Sequence, residues 1–110
     1  MSKMEEVVIR TRTTISIPGS ITLRGKEVEF YVDEYPEDTF YVYDTTDDES
    51  GKRYEIRVYQ DASASQGSPM IYINALVDGE IVDDNSVQMW EVESVIQGFA
   101  ARLNGEEAAE

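Results

Sequence analysis

Residues 71–103 read IYINALVDGE IVDDNSVQMW EVESVIQGFA ARL, and within them the period of the apolar side chains changes. Ile71, Ile73 and Ala75 alternate with Tyr72 and Asn74, which is strand spacing. Asp78-Gly79 is a hairpin dipeptide and predicts a short returning edge strand over Glu80 to Val82. From Ser86 to Leu103, Val92, Val95, Ile96, Phe99 and Leu103 recur at helical spacing, so this segment is expected to be a helix. Asn85 with Gln88, or Ser86 itself, could cap its start, and Asn104-Gly105 is a good stop. Gly98 costs about 1 kcal/mol relative to Ala and is read as a point of close approach to the sheet.

Upstream, the chain reads in period two. Val7, Ile9, Thr11, Thr13, Ile15 and Ile17 share one parity, which predicts one long half-buried strand ended by Pro18-Gly19. Ile21 and Leu23 begin a second strand, with Arg24-Gly25-Lys26 as a turn or bulge. Val28, Phe30 and Val32 follow, then a turn at Asp33 to Asp38, where Pro36 cannot enter a central ladder. Phe40 and Val42 are expected to point inward on the next strand. A turn at Asp47 to Gly51 leads to Tyr54, Ile56 and Val58. Strands first and a helix last give an α+β fold: an antiparallel meander of about five or six strands with one C-terminal helix packed on one face. Residues 1–104 form a single domain, and the acidic tail 105–110 is expected to fray. Phe30, Val42, Ile56, Ile73, Val92, Ile96 and Phe99 should be buried together.

Composition excludes much chemistry. The chain has 110 residues with no cysteine and no histidine, so disulfides, thiolate sites and the commonest general base are absent. Asp44 to Glu55 has carboxylates at the first and twelfth positions of a calcium loop, but Glu49 stands where that loop requires glycine. Gly25 and Gly51 are isolated and open no helix, so no phosphate cradle forms. No nucleophile with a base can be named, and the expectation is a non-enzyme with no cofactor and no metal. The first residues lack an apolar leader, and no run approaches the length of a membrane helix, so the expected address is the cytoplasm.

The charge is both large and blocked. Net charge is −14, with ten carboxylates and no cation in residues 27–50 and a net of −8 in residues 78–110. Such acidity opposes direct contact with nucleic acid or an anionic membrane. Carboxylates grouped at hairpin ends can instead imitate phosphates. The expected partner is therefore a protein with a basic nucleic-acid-binding groove, as in small phage or mobile-element inhibitors. The candidate contact residues are Asp33, Glu34, Glu37, Asp38, Tyr41, Tyr43, Asp44, Asp47, Asp48, Glu49, Asp83 and Asp84. Parity places Tyr31, Tyr41, Tyr43, Tyr59 and Tyr72 on the sheet face opposite the helix, beside Glu55, Arg57 and Asn74. The alternative is an assembly module or homodimer joined through that tyrosine face. Neutralising Asp44, Asp47, Asp48 and Glu49 together should weaken binding and leave stability unchanged or raised.

Overall fold

The chain begins with two hairpins. β1 (Met4–Val8) pairs antiparallel with β2 (Thr14–Pro18), and β3 (Ser20–Leu23) with β4 (Lys26–Glu29). A five-stranded antiparallel meander follows: β5 (Tyr31–Glu34), β6 (Thr39–Thr46), β7 (Arg53–Tyr59), β8 (Ile71–Val77) and β9 (Glu80–Val87). One 3₁₀ turn, Met89–Glu91, leads into α1 (Val92–Asn104). The protein is thus α+β, with the C-terminal helix packed against the sheets. These coordinates are a computed structural model describing residues 3–10, 12–35, 38–60 and 70–105. Glu37, the serine-rich stretch 62–69 and the tail beyond Gly105 lie outside the described residues.

Two turns show local sequence setting the architecture. Arg24-Gly25 and Asp78-Gly79 have φ of 52° and 82°, then 52° and 83°. Positive φ at both positions is the twist that matches paired strands, and glycine fills the second position in each because it tolerates that conformation.

The meander forms one layer; α1 and the two hairpins form the other. Ile15, Ile17, Ile21 and Leu23 from the hairpins meet Ile56, Ile73 and Tyr43 from the sheet and Ile96, Phe99 and Leu103 from α1 in one core. No helix is long and apolar enough to cross a membrane among the described residues.

Several sequence expectations are corrected. The long strand over Val7 to Ile17 is a hairpin, reversed where Ile9 N–H donates to Thr13 O at 2.9 Å and Arg12 takes φ 66°. Its parity is correct on both arms, since Val7, Ile9, Ile15 and Ile17 are buried. The strand at Val28 to Val32 breaks at Phe30, where the chain changes sheets. Val32 ends 47% exposed on an edge, and Phe30 is only half-buried against the core.

In β6 the faces are reversed. Tyr41 and Tyr43 point into the core and Phe40 and Val42 away from it, because the cross-strand register places Tyr41 opposite Val58 and Tyr43 opposite Ile56. Both parities of β6 are apolar, so alternation alone cannot choose between them. The phenols decide: Tyr41 donates to Val8 O at 2.8 Å and Tyr43 to Pro18 O, each reaching across to the first hairpin. Val42 is buried, but within the outer face.

The edge strand β9 runs through Val87, so Ser86 is strand and α1 starts at Val92. Glu91 Oε accepts the Gln88 N–H at 2.9 Å, capping the turn that Asn85 or Ser86 was expected to cap. Gly98 is exposed with nothing within 4 Å of a Cβ built on it, so it marks no close approach.

Candidate interaction surface

In a meander, successive turns lie at opposite ends. The acidic segment 33–38 joins β5 to β6 at one end, and the turn at residues 47–52 joins β6 to β7 at the other. The eight residues of β6 hold them roughly 25 Å apart. The block that is contiguous in sequence is therefore two patches. The β8–β9 turn joins the second patch: Arg53 N–H donates to Asp78 Oδ1 at 2.9 Å, and Asp78 N–H to Arg53 O at 2.8 Å. This brings Asp78 and Glu80 to the end that carries Asp48 and Glu49. Neither Asp78 nor Glu80 was among the candidate contacts, because only the strand pairing brings them there.

The individual candidates separate into exposed and structural groups. Glu34, Glu49 and Asp84 are exposed, and their side chains make no hydrogen bond or ion pair among the described residues. Asp48 is exposed and holds Lys26 at 3.0 Å. Asp33 accepts from the Tyr35 hydroxyl at 3.0 Å, and Asp38 is half-buried. Asp83 lies inside β9, and it binds Arg102 of α1 at 2.9 Å. Asp84 is its neighbour on the same strand.

Asp47 and Asp44 belong to the fold. Asp47 is buried beside Arg24 at 3.1 Å and accepts both the N–H and the hydroxyl of Ser50. Arg24, then Ser50, hold its carboxyl down at about 2. Asp44 pairs with Arg53 and accepts from the Tyr31 hydroxyl at 2.8 Å; burial, then that bond, pushes the Tyr31 phenol up to about 12. The expectation that neutralising Asp44 and Asp47 spares the fold is therefore corrected. Tyr41 and Tyr43 are likewise removed from the accessible surface, at 7% and 0% exposure.

The outer face of the meander carries its own compensation. Asp44 and Glu55 face Arg53 and Arg57, with Glu55 Oε2 2.7 Å from Arg57 Nε. Two acids and two bases leave that centre neutral. Across it runs an aromatic stripe in which Tyr35–Phe40, Phe40–Tyr59 and Tyr59–Tyr72 ring centres lie 5.6, 4.7 and 5.6 Å apart. Tyr31, Tyr59 and Tyr72 lie on this face as the sequence suggested.

Among the described residues, Arg24, Lys26, Arg53, Arg57 and Arg102 are tied to carboxylates of the same chain. The exposed surplus lies at the ends and edge of the meander, on the two hairpins and at the start of α1. No family model, no curated protein and no solved structure matches the chain.

Proposed function

We propose that the chain is a small acidic binding protein that inhibits a DNA- or RNA-handling protein by placing carboxylates where that protein's basic groove takes phosphates. The observation that carries this reading is the separation of roles among the acids. Asp44, Asp47 and Glu55 are consumed by internal arginines, whereas Glu34, Glu49, Glu80 and Asp84 stand exposed without a cation among the described residues. Two acidic ends roughly 25 Å apart fall somewhat short of one turn of duplex DNA, about 34 Å. Exposed like charges raise the energy of the folded chain, so their retention at these positions favours a role in attraction.

The test is capture followed by challenge. Proteins from a lysate of the source organism are bound to the immobilised chain at about 0.05 M salt, a regime of weak screening, then challenged with duplex DNA, with RNA or with about 0.5 M salt. Nucleic-acid-binding proteins should be retained, and should be released by nucleic acid as well as by salt. The variant Glu34→Gln, Glu49→Gln, Glu80→Gln, Asp84→Asn removes four carboxylates, taking the net charge from −14 to −10, and should retain far less. Equal retention by this variant, indifferent to salt, would refute phosphate mimicry. Assembly through the aromatic stripe is the second reading, favoured by the exposure of Tyr35 and Ile81, both 55%, at its borders. It would show as a salt-resistant dimer.

A further inference from the structure

Trp90 is the single tryptophan of the chain and is 76% exposed, the most open of the large apolar side chains described. It sits on the 3₁₀ turn ahead of α1, where the capping contact between Gln88 and Glu91 fixes the backbone. Its neighbour Met89 is half-buried and packs on the core. Together with Met4 of β1, Ile15 and Ser16 of β2 and Glu93 of α1, Trp90 lines an open groove of about 310 Å³. Met4 is 40% exposed. A tryptophan and two methionines beside one groove match the composition of interface centres and differ from the scattered single apolar residues of an ordinary surface.

Charge decides what the groove takes. Among the described residues, Glu93 is the one charged residue lining it. Glu91 adjoins Trp90, and Glu6 lies two residues from Met4 on the same side of the hairpin; both are exposed. A tryptophan face with carboxylates beside it suits a planar, weakly hydrated cation. A second copy of this chain suits it poorly, because a two-fold contact here would set Glu6, Glu91 and Glu93 against their own equivalents.

We infer that the groove beside Trp90 is an apolar anchor site that takes an arginine side chain, with flanking aliphatic residues, from the rim of the partner's basic groove. The inference rests on the binding reading above and adds a contact that depends less on ionic strength than the exposed carboxylates do. Those carboxylates would speed encounter and carry most of the salt dependence, while Trp90 would slow release.

The experiment follows Trp90 emission in the full chain during titration with a hexapeptide of alternating leucine and arginine. The control peptide carries citrulline, which keeps the shape of arginine without its charge. The expected result is a saturable emission change with the arginine peptide, persisting at about 0.5 M salt where surface attraction is screened, and absent with citrulline. By calorimetry, Trp90→Ala should weaken the arginine peptide about tenfold at both low and high salt, and Trp90→Leu should recover only part of that loss. Met4→Ala, at a second exposed position, should weaken it by a smaller factor. An unmoved emission, an equal response to citrulline, or a Trp90→Ala effect that vanishes at high salt would overturn the inference. So would a dimer in sedimentation that Trp90→Ala dissolves, which would make a second copy the occupant. The two readings fail separately. If the four-carboxylate variant keeps full partner affinity while Trp90 still responds to arginine, phosphate mimicry is wrong and the anchor stands.

Discussion

Tyr43 distinguishes a buried role from a contact role most sharply. Its side chain is fully buried, its ring meets Phe30 edge-on at 5.9 Å, and it lies opposite Ile56 in the register. Its hydroxyl donates to Pro18 O, the last carbonyl of β2. Tyr43→Phe keeps the ring and deprives that carbonyl of its donor, which should cost about 1–3 kcal/mol. Tyr43→Ala also empties the space of the ring, and large-to-small core changes of this kind cost about 3–5 kcal/mol. Equilibrium urea unfolding followed by far-ultraviolet circular dichroism reads both values, with an unchanged slope against denaturant reporting that compactness is unaltered. A loss below about 1 kcal/mol for Tyr43→Ala would refute the burial and return Tyr43 to the surface.

Other outcomes can be checked on the same chain. Gly98→Ala should raise stability by about 0.5–1 kcal/mol, because the position is open and helical. Phe99→Ala should lower it by about 3–5 kcal/mol, since Phe99 joins α1 to the core. The Asp47 carboxyl is depressed from 3.8 to about 2, so its contribution is complete above pH 3.8 and is lost as pH falls from there to about 2. The wild-type minus Asp47→Asn difference in urea midpoint should shrink across that acid window; a constant difference would show that Asp47 does not titrate with folding. At the alkaline end, the Tyr31 phenol is raised from 10 to about 12. Its contribution is present below pH 10 and is lost toward pH 12, which Tyr31→Phe should remove.

The sequence reported element type well and relative placement poorly. The change of period at the C-terminus identified the helix because Val92, Ile96, Phe99 and Leu103 all bury the same face. Its start was misplaced by several residues. Ser86 and Val87 continue the alternation of β9, and polar residues from Asp83 to Ser86 suit an exposed edge as well as a helix cap. The first hairpin was missed because Thr11 and Thr13 continue the parity through the reversal, and β-branched residues carry no turn signal. The faces of β6 depend on acceptors 33 and 25 residues away on the first hairpin, which alternation does not report. For the candidate surface, counting charges located the acids but not their partners. Asp47 and Asp48 are adjacent in sequence, yet one is buried against Arg24 and the other exposed beside Lys26. Arginines 23 and 9 residues away neutralise Asp47 and Asp44, and no local pattern reports that.

The clasp between the β3–β4 turn and the end of α1 has a consequence for how the chain comes into being. Asn104 donates to Thr22 O at 3.0 Å and accepts from Arg24 N–H at 2.6 Å, while the Arg24 guanidinium donates to Leu103 O at 3.0 Å. These partners are 80 or so residues apart, and closing a loop of that length costs roughly 4 kcal/mol of chain entropy. The meander, paired between sequence neighbours, has no such delay. At a synthesis rate of about 5–20 residues per second, the apolar faces of the two hairpins wait several seconds for the helix that covers them. During that interval they could pair with other nascent copies. Glu5, Glu6, Glu27 and Glu29 ride on those same hairpins as gatekeepers, so the strands that wait longest uncovered also repel their own kind.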